Sequence, residues 1–261
     1  MILDNVFGIE NEKPLDKLAE DGGYTAIFRT IACVGDSLSS GEFQAVNSDG
    51  VDTYHDMFEY SWGQFLGRMC GSQVYNFSRG GMTAKEYCNR FADSMGYWNP
   101  TFASQAYIIA MGVNDLLCQN QKIGSMDDVD INDWKNNKDT FAGNYCKIIQ
   151  RYKDIQPRAK FFLMTFPSAG ENAPKKALRE EFRDLLYKIA ETFSNVYVLD
   201  FYKYAPVYDK EFNSKFSLRG HMNPMGYLLT AKMVGSYIDY IIRHNMDGFK
   251  EVGFIGTDLH G

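Results

Sequence analysis

Four short blocks of this 261-residue sequence hold residue types and spacings that could do chemistry, a hydroxyl nucleophile first among them. The first is Val34-Gly35-Asp36-Ser37-Leu38-Ser39-Ser40-Gly41, where an apolar run ends directly in a serine with glycines on both sides. A serine delivered off a strand end, where the backbone can turn and a substrate approach, is placed as an exposed hydroxyl nucleophile. A Ser or Asp cap opening the next helix explains the same residues. The others are Asn76-Phe77-Ser78-Arg79-Gly80-Gly81-Met82-Thr83, Met111-Gly112-Val113-Asn114-Asp115 and His221-Met222-Asn223-Pro224-Met225-Gly226-Tyr227. Taken singly, Gly81 fits a turn glycine and Asn114 a helix cap, and Asp36 and Asp115 read as structural hydrogen-bond partners. Capped turns do not explain why all four blocks fall where the carboxyl ends of parallel strands would converge.

His221 stands two residues before Asn223, which can cap the final helix with Pro224 at its first position. The positive end of that helix disfavours imidazolium and keeps the ring neutral, as a base working near pH 7 must be. The remaining histidines are less well placed. His244 and His260 fall late among polar residues, and His55, in the loop after the serine, reads as solvent-exposed or pocket-lining.

The elements that must position these blocks are legible as apolar runs alternating with helical stripes, the mark of a parallel sheet covered on both faces. Strands are expected over Ala26–Val34, Gln73–Phe77, Ala106–Met111, Lys160–Thr165 and Asn195–Leu199. Helical stripes run over Phe141–Ile155 and Pro174–Phe193, and along the last helix through Leu229, Met233, Tyr237 and Ile241 beside Val234, Ile238 and Ile242. Residues 115–139, rich in Asp and Asn, read as a polar insertion with a short helix at best. No D-x-D-x-D-G frame with a distal Glu supports calcium there. The tail from Phe249 to Gly261 is expected to lie back on the domain or across a subunit interface.

Composition narrows the class further. A 45% hydrophobic and 15% aromatic chain of this length is globular, and it would bury roughly 70–75% of its unfolded surface without disulfides. With 27 Lys and Arg against 33 Asp and Glu, a net charge of −6 and no basic run, a nucleic-acid partner is not expected. The first 25 residues carry six carboxylates and no leader-like apolar core, and no segment offers 18 uninterrupted apolar residues. The expectation is a soluble cytoplasmic protein without a membrane partner. Five widely spaced cysteines form no C-x-x-C pair, and a buried thiol is the reading for each.

The ordered set of four blocks resembles the SGNH (GDSL-type) hydrolase family, esterases and lipases on a flavodoxin-like three-layer sheet, over about residues 26–245. The resemblance implies Ser37 as nucleophile and His221 as general base. It also implies an oxyanion hole of the Ser37 and Gly81 backbone N–H groups and the Asn114 side-chain amide. Acyl transfer builds a negative oxygen that needs donors fixed in advance, and a side chain at position 81 would obstruct the carbonyl's approach. The sequence departs from the family where its acid usually stands, three residues before the histidine: that position is Leu218. A Ser37–His221 dyad follows, its ring held at Nδ1–H by a backbone carbonyl or by a carboxylate from elsewhere, with Asp200 and Asp209 nearest in sequence.

The expected fold is α/β, a flavodoxin-like three-layer α/β/α sandwich with a five-stranded parallel sheet. It is read as one domain over 1–261, with an N-terminal extension (1–25), the insertion at 115–139 and the tail at 249–261. The expected function is hydrolysis of a carboxylic ester, first among them an acetyl ester on carbohydrate, without metal or organic cofactor. The partner is then a small-molecule or carbohydrate ester, and the oligomeric state is not read from the sequence. The aromatic segment Tyr197–Tyr208 could stack on a sugar, grip an acyl chain or simply pack. A catalytically silent binding protein of the same fold is the alternative that Leu218 raises; a flavodoxin-like nucleotide binder lacks its phosphate-cradling glycines.

Overall fold

The five expected apolar runs form one all-parallel sheet in the computed structural model, which describes residues 11–261. Its strands are β1 (Thr30–Gly35), β4 (Gln73–Ser78), β5 (Ala106–Ala110), β6 (Lys160–Met164) and β7 (Val196–Leu199), in the order β4-β1-β5-β6-β7. Successive residues alternate between two cores, as the pleat requires. Tyr107, Ile109, Phe161 and Leu163 join a core under the Phe141–Ile155 and Lys176–Thr192 helices. Ile108 and Phe162 join Ile31 and Cys33 in a second core under the Trp62–Cys70 and Pro224–His244 helices. The three-layer α/β architecture is therefore as expected.

Several boundaries differ. The sheet strand β1 starts at Thr30 because Gly23–Ile27 forms a 3-10 turn, and Thr25 in that turn donates its hydroxyl to the Gly235 carbonyl of the last helix. The helix expected from Pro174 starts at Lys176, since Lys175 adopts a left-handed φ of 57°. Two antiparallel ladders were not anticipated: β2 (Glu42–Val46) with β3 (Asp52–Asp56), and the short β8 (Ser217–Leu218) with β9 (His221–Met222). The thiol expectation holds for buried Cys33, Cys88 and Cys146, while Cys70 is half-buried and Cys118 is exposed at the end of a π-turn.

The polar stretch at 115–139 carries two 3-10 turns, Met126–Asp128 and Trp134–Asn136, pinned to the following helix. Gln150 Nε2 donates to the Asp130 carbonyl at 2.7 Å and Trp134 Nε1 to Asp154 at 3.0 Å. The tail lies back on the chain at the amino-terminal edge of the sheet. There Gln105, beside the start of β5, donates to the Val252 carbonyl, and Phe249, Val252 and Ile255 are buried. Of the N-terminal stretch, residues 1–10 lie outside the described residues. Among the described residues no helix is long and apolar enough to cross a membrane.

Candidate active site

In the sheet order, β1 lies between β4 and β5, with Gly35 in register with Ser78 on one side and Ala110 on the other. The chain leaves these three adjacent strands into the Ser37, Gly81 and Asn114 blocks. The order reverses at β1, which makes this carboxyl edge the crevice where ligands of open α/β sheets bind.

Ser37 opens a one-turn helix, Ser37–Ser40, capped by Asp36 accepting from Leu38 N at 3.1 Å and ended by Gly41 at φ 82°. Gly35 is required by packing, because a Cβ there would collide with Ser39 Oγ and the Ala110 carbonyl. The hydrogen bonds of this turn run from Leu38 N to Asp36 and from Ser40 Oγ to Ser37 O and Asp56. None of these bonds uses the Ser37 hydroxyl. Gly81 has φ 71°, and a Cβ on it would meet no protein atom within 4 Å. Within the protein, conformation rather than crowding demands that glycine.

Asn114 sits in a π-turn, Val113–Cys118, entered through Gly112 at φ 118°. Its Nδ2 donates to the Met82 carbonyl at 3.1 Å and lies 3.5 Å from Asp36 Oδ2. Asp115, next in the turn, accepts from Ala84 N at 2.9 Å. These bonds tie all three strand-end loops together, and they give Asp36 and Asp115 the structural roles expected. Both carboxyls are buried, which pushes Asp36 up to about 7 and Asp115 up to about 6. On Asp36, the Leu38 N–H pulls the other way, and the charges of Asp115 and Glu42 raise it further.

His221 lies in β9, across the two-residue Arg219-Gly220 turn from β8. Asn223 caps the following helix through Gly226 N at 3.0 Å, with Pro224 in the first position, as expected. Burial holds the imidazole below its ordinary value, against the pull of Asp56, so the ring is neutral near pH 7. The expected backbone acceptor at Nδ1 is not found. Nδ1 is buried with no partner among the described residues, whereas Nε2 lies 3.1 Å from Glu42 Oε1, both side chains being 14% exposed. The carboxylates nearest in sequence serve elsewhere. Asp200 caps a turn at Lys203 and accepts from the Tyr187 hydroxyl at 2.9 Å, and Asp209 caps the Lys210–Phe216 helix at Phe212.

Glu42 is the residue that sequence reasoning missed. The signal was present: Glu42–Val46 and Val51–Asp56 flank Asn47-Ser48-Asp49-Gly50, a turn sequence between two short runs. The same hairpin brings Tyr54 edge-on to the His221 ring, with centroids 5.9 Å apart. His55 points elsewhere and is exposed, with Nε2 2.9 Å from Thr53 Oγ1.

Beside His221 a cavity of about 360 Å³ opens between Leu38, Val113, Phe166 and Tyr208. Its lining is mainly apolar, yet two donors on it, Trp62 Nε1 and Arg179 Nε, are buried without partners among the described residues. The aromatic segment 197–208 divides: Phe201 and Tyr208 line the cavity, Tyr197 packs on Phe162 and Phe249, and Tyr204 packs on Tyr237.

Comparison with known proteins agrees with this architecture. Residues 33–229 match the GDSL-like lipase/acylhydrolase family, and the chain belongs to that family of ester-bond hydrolases. Among solved structures, a family two carbohydrate esterase from Clostridium thermocellum in complex with cellohexaose superimposes with TM-score 0.58 at 14% identity, over 84% of this chain and 65% of that one. The psychrotrophic esterase EstA from Pseudoalteromonas sp., in a structure inhibited by monoethylphosphonate, gives TM-score 0.53 at 17% identity, over 82% and 98% of the two chains. An acetyl xylan esterase gives 0.53 at 16% identity, over 80% and 99%. At these identities the likeness is one of fold. A comparison of the sequence with curated proteins gives no match.

Proposed function

We propose that the chain is a serine esterase that removes an acetyl group from a carbohydrate ester through an acyl-serine intermediate. One observation carries this reading. Ser37, Gly81 and Asn114 leave three adjacent strand ends, and Asn114 is bonded to Met82 and lies 3.5 Å from Asp36, which supports a hydroxyl and donors held in one arrangement. Such preorganisation is what stabilises charge that appears only during acyl transfer.

In this account the Ser37 oxygen bonds to the ester carbon while its proton passes to neutral His221. The carbonyl electrons move onto oxygen, which receives hydrogen bonds from the backbone N–H groups of Ser37 and Gly81 and from Asn114 Nδ2. Collapse re-forms the carbonyl and breaks the bond to the alcohol, which leaves with the proton from His221. Water then repeats the sequence and releases the acid with Ser37 restored. Phe166 and Tyr208 line the adjoining cavity and give it an apolar wall against which part of a sugar ester can pack. Two of the structural neighbours are carbohydrate esterases, which supports the same substrate class.

A panel of p-nitrophenyl esters of increasing acyl length, with acetylated xylan and cello-oligosaccharides, tests the reading against Ser37→Ala as the blank. Release of acetate from the acetylated sugars, preferred over longer acyl esters and absent in Ser37→Ala, is expected. Equal rates for both proteins on every ester contradict the reading.

A further inference from the structure

We propose that Glu42 is the positioning carboxylate of His221, supplied by the hairpin that follows the serine turn instead of by the position three residues before the histidine. Its catalytic meaning rests on the esterase reading above; its geometry stands independently. The Glu42 carboxylate meets His221 Nε2 at 3.1 Å with both side chains largely out of solvent, while Leu218, at the usual acid position, is 48% exposed.

The backbone that presents Glu42 is fixed from several sides. It is the first residue of β2, directly after Gly41, whose carbonyl accepts from Met57 N at 3.0 Å. The Glu42 carbonyl accepts from the hydroxyl of Tyr227, a fully buried residue of the last helix, at 2.7 Å. Two residues on, Gln44 Oε1 accepts from Gly220 N at 2.8 Å, and Asp52 pairs with Arg219 at 3.2 Å. The serine hairpin and the histidine hairpin are thus stitched at three points, one of which is Glu42 to His221.

Gly80 gives a second sign. A Cβ at that position would collide with Glu42 Oε2, so the carboxylate occupies the space that this glycine leaves. Gly81 is needed for its φ; at Gly80 a Cβ would displace the end of the Glu42 side chain. The chemistry follows from hydrogen-bonding capacity: an ionised carboxylate only accepts, so Nε2 must carry the ring proton. The lone pair then resides on Nδ1, the buried nitrogen with no partner among the described residues, which is the one left to take a proton.

Other titratable groups face this pair. Asp56 lies opposite Glu42 in the hairpin and accepts from Ser40 Oγ at 2.6 Å; Asp36, Tyr227 and Tyr54 lie nearby; Arg219 is engaged by Asp52. Asp56 is exposed, and its carboxylate is committed to Ser40.

The test compares full-length wild type with Glu42→Ala, Glu42→Gln and Glu42→Asp on a short-chain acetate ester, together with ¹⁵N NMR titration of His221. We expect kcat to fall by about 10²-fold or more in Ala and Gln with little change in KM, and Asp to recover part of it. We also expect the His221 pKa to fall once the anion is removed, and the Nε2–H tautomer to lose its excess. A Glu42→Ala enzyme within about threefold of wild type, or faster, overturns the proposal, the faster case making Glu42 a latch on the ring. So does a His221 tautomer and pKa that ignore the substitution. If wild type cleaves no ester while the NMR effects appear, the esterase reading fails and the pairing stands.

Discussion

Leu218 stands opposite His221 in the β8–β9 ladder, in register, with about half of its side chain in solvent. Cross-strand partners share a face with Cβ atoms about 4.5–5.5 Å apart. A carboxylate at 218 therefore stands on the same face of the ladder as the ring. Leu218→Asp adds a second anion beside the imidazole, which favours imidazolium, so the acidic limb of the kcat/KM profile is expected to move to higher pH. A pH–rate profile measures this directly. An unmoved limb would show that the side chain at 218 has no electrostatic access to the ring.

Asn114→Ala removes a donor to charge that exists only in the transition state and is expected to lower kcat by about 10²–10³-fold while KM changes little; Gly81→Ala keeps its N–H and is expected to lower kcat by less, by re-aiming that donor. Gly81→Ala meets no steric clash, since no protein atom lies within 4 Å of its Cβ, but it forces an L-residue to φ 71° at a cost of about 1–2 kcal/mol. Steady-state kinetics beside thermal melts separate the two effects. A structural role alone appears as a lower Tm with unchanged turnover per folded molecule.

Asp36 supplies a stability prediction. Its folded pKa, pushed up to about 7 by burial, lies above the ordinary carboxylate value, so the native state binds this proton more tightly than the unfolded chain. The associated stability is fully present below about pH 4 and is lost as pH rises toward 7. Asp36→Asn keeps an oxygen to cap Leu38 N and removes the titration. Denaturant unfolding across this range should show the variant gaining on wild type as pH rises, then a constant difference above pH 7.

Asp200→Ala and Asp209→Ala are expected to cost stability, about 0.5–2 kcal/mol for each lost cap, with kcat near wild type in the folded fraction. Each carboxylate is occupied by a helix terminus, and Asp200 also by Tyr187. His221→Ala should instead abolish turnover in a protein that still folds. Kinetics normalised to the folded fraction decide the comparison.

The sheet was legible because buried parallel strands read as unbroken apolar runs, and the last helix because Asn223-Pro224 announces its start. The placement of Ser37, Gly81 and Asn114 after strand ends and of His221 before a helix head was legible because such places carry local signatures. Glu42 was not, for two physical reasons. The β2–β3 ladder is exposed over most of its length, so its strands lack a strong buried stripe, and the contact to His221 spans 179 positions, which no local pattern encodes. Proximity in sequence favoured Asp200 and Asp209; proximity in space belongs to Glu42.

Reaction of the folded protein with a fluorophosphonate, followed by mass mapping of the adduct, reads out whether Ser37 is an activated nucleophile within a preformed site. A single adduct on Ser37, lost in Ser37→Ala and strongly slowed in His221→Ala, is expected. An adduct on any other serine, or none while the protein is folded, would contradict it.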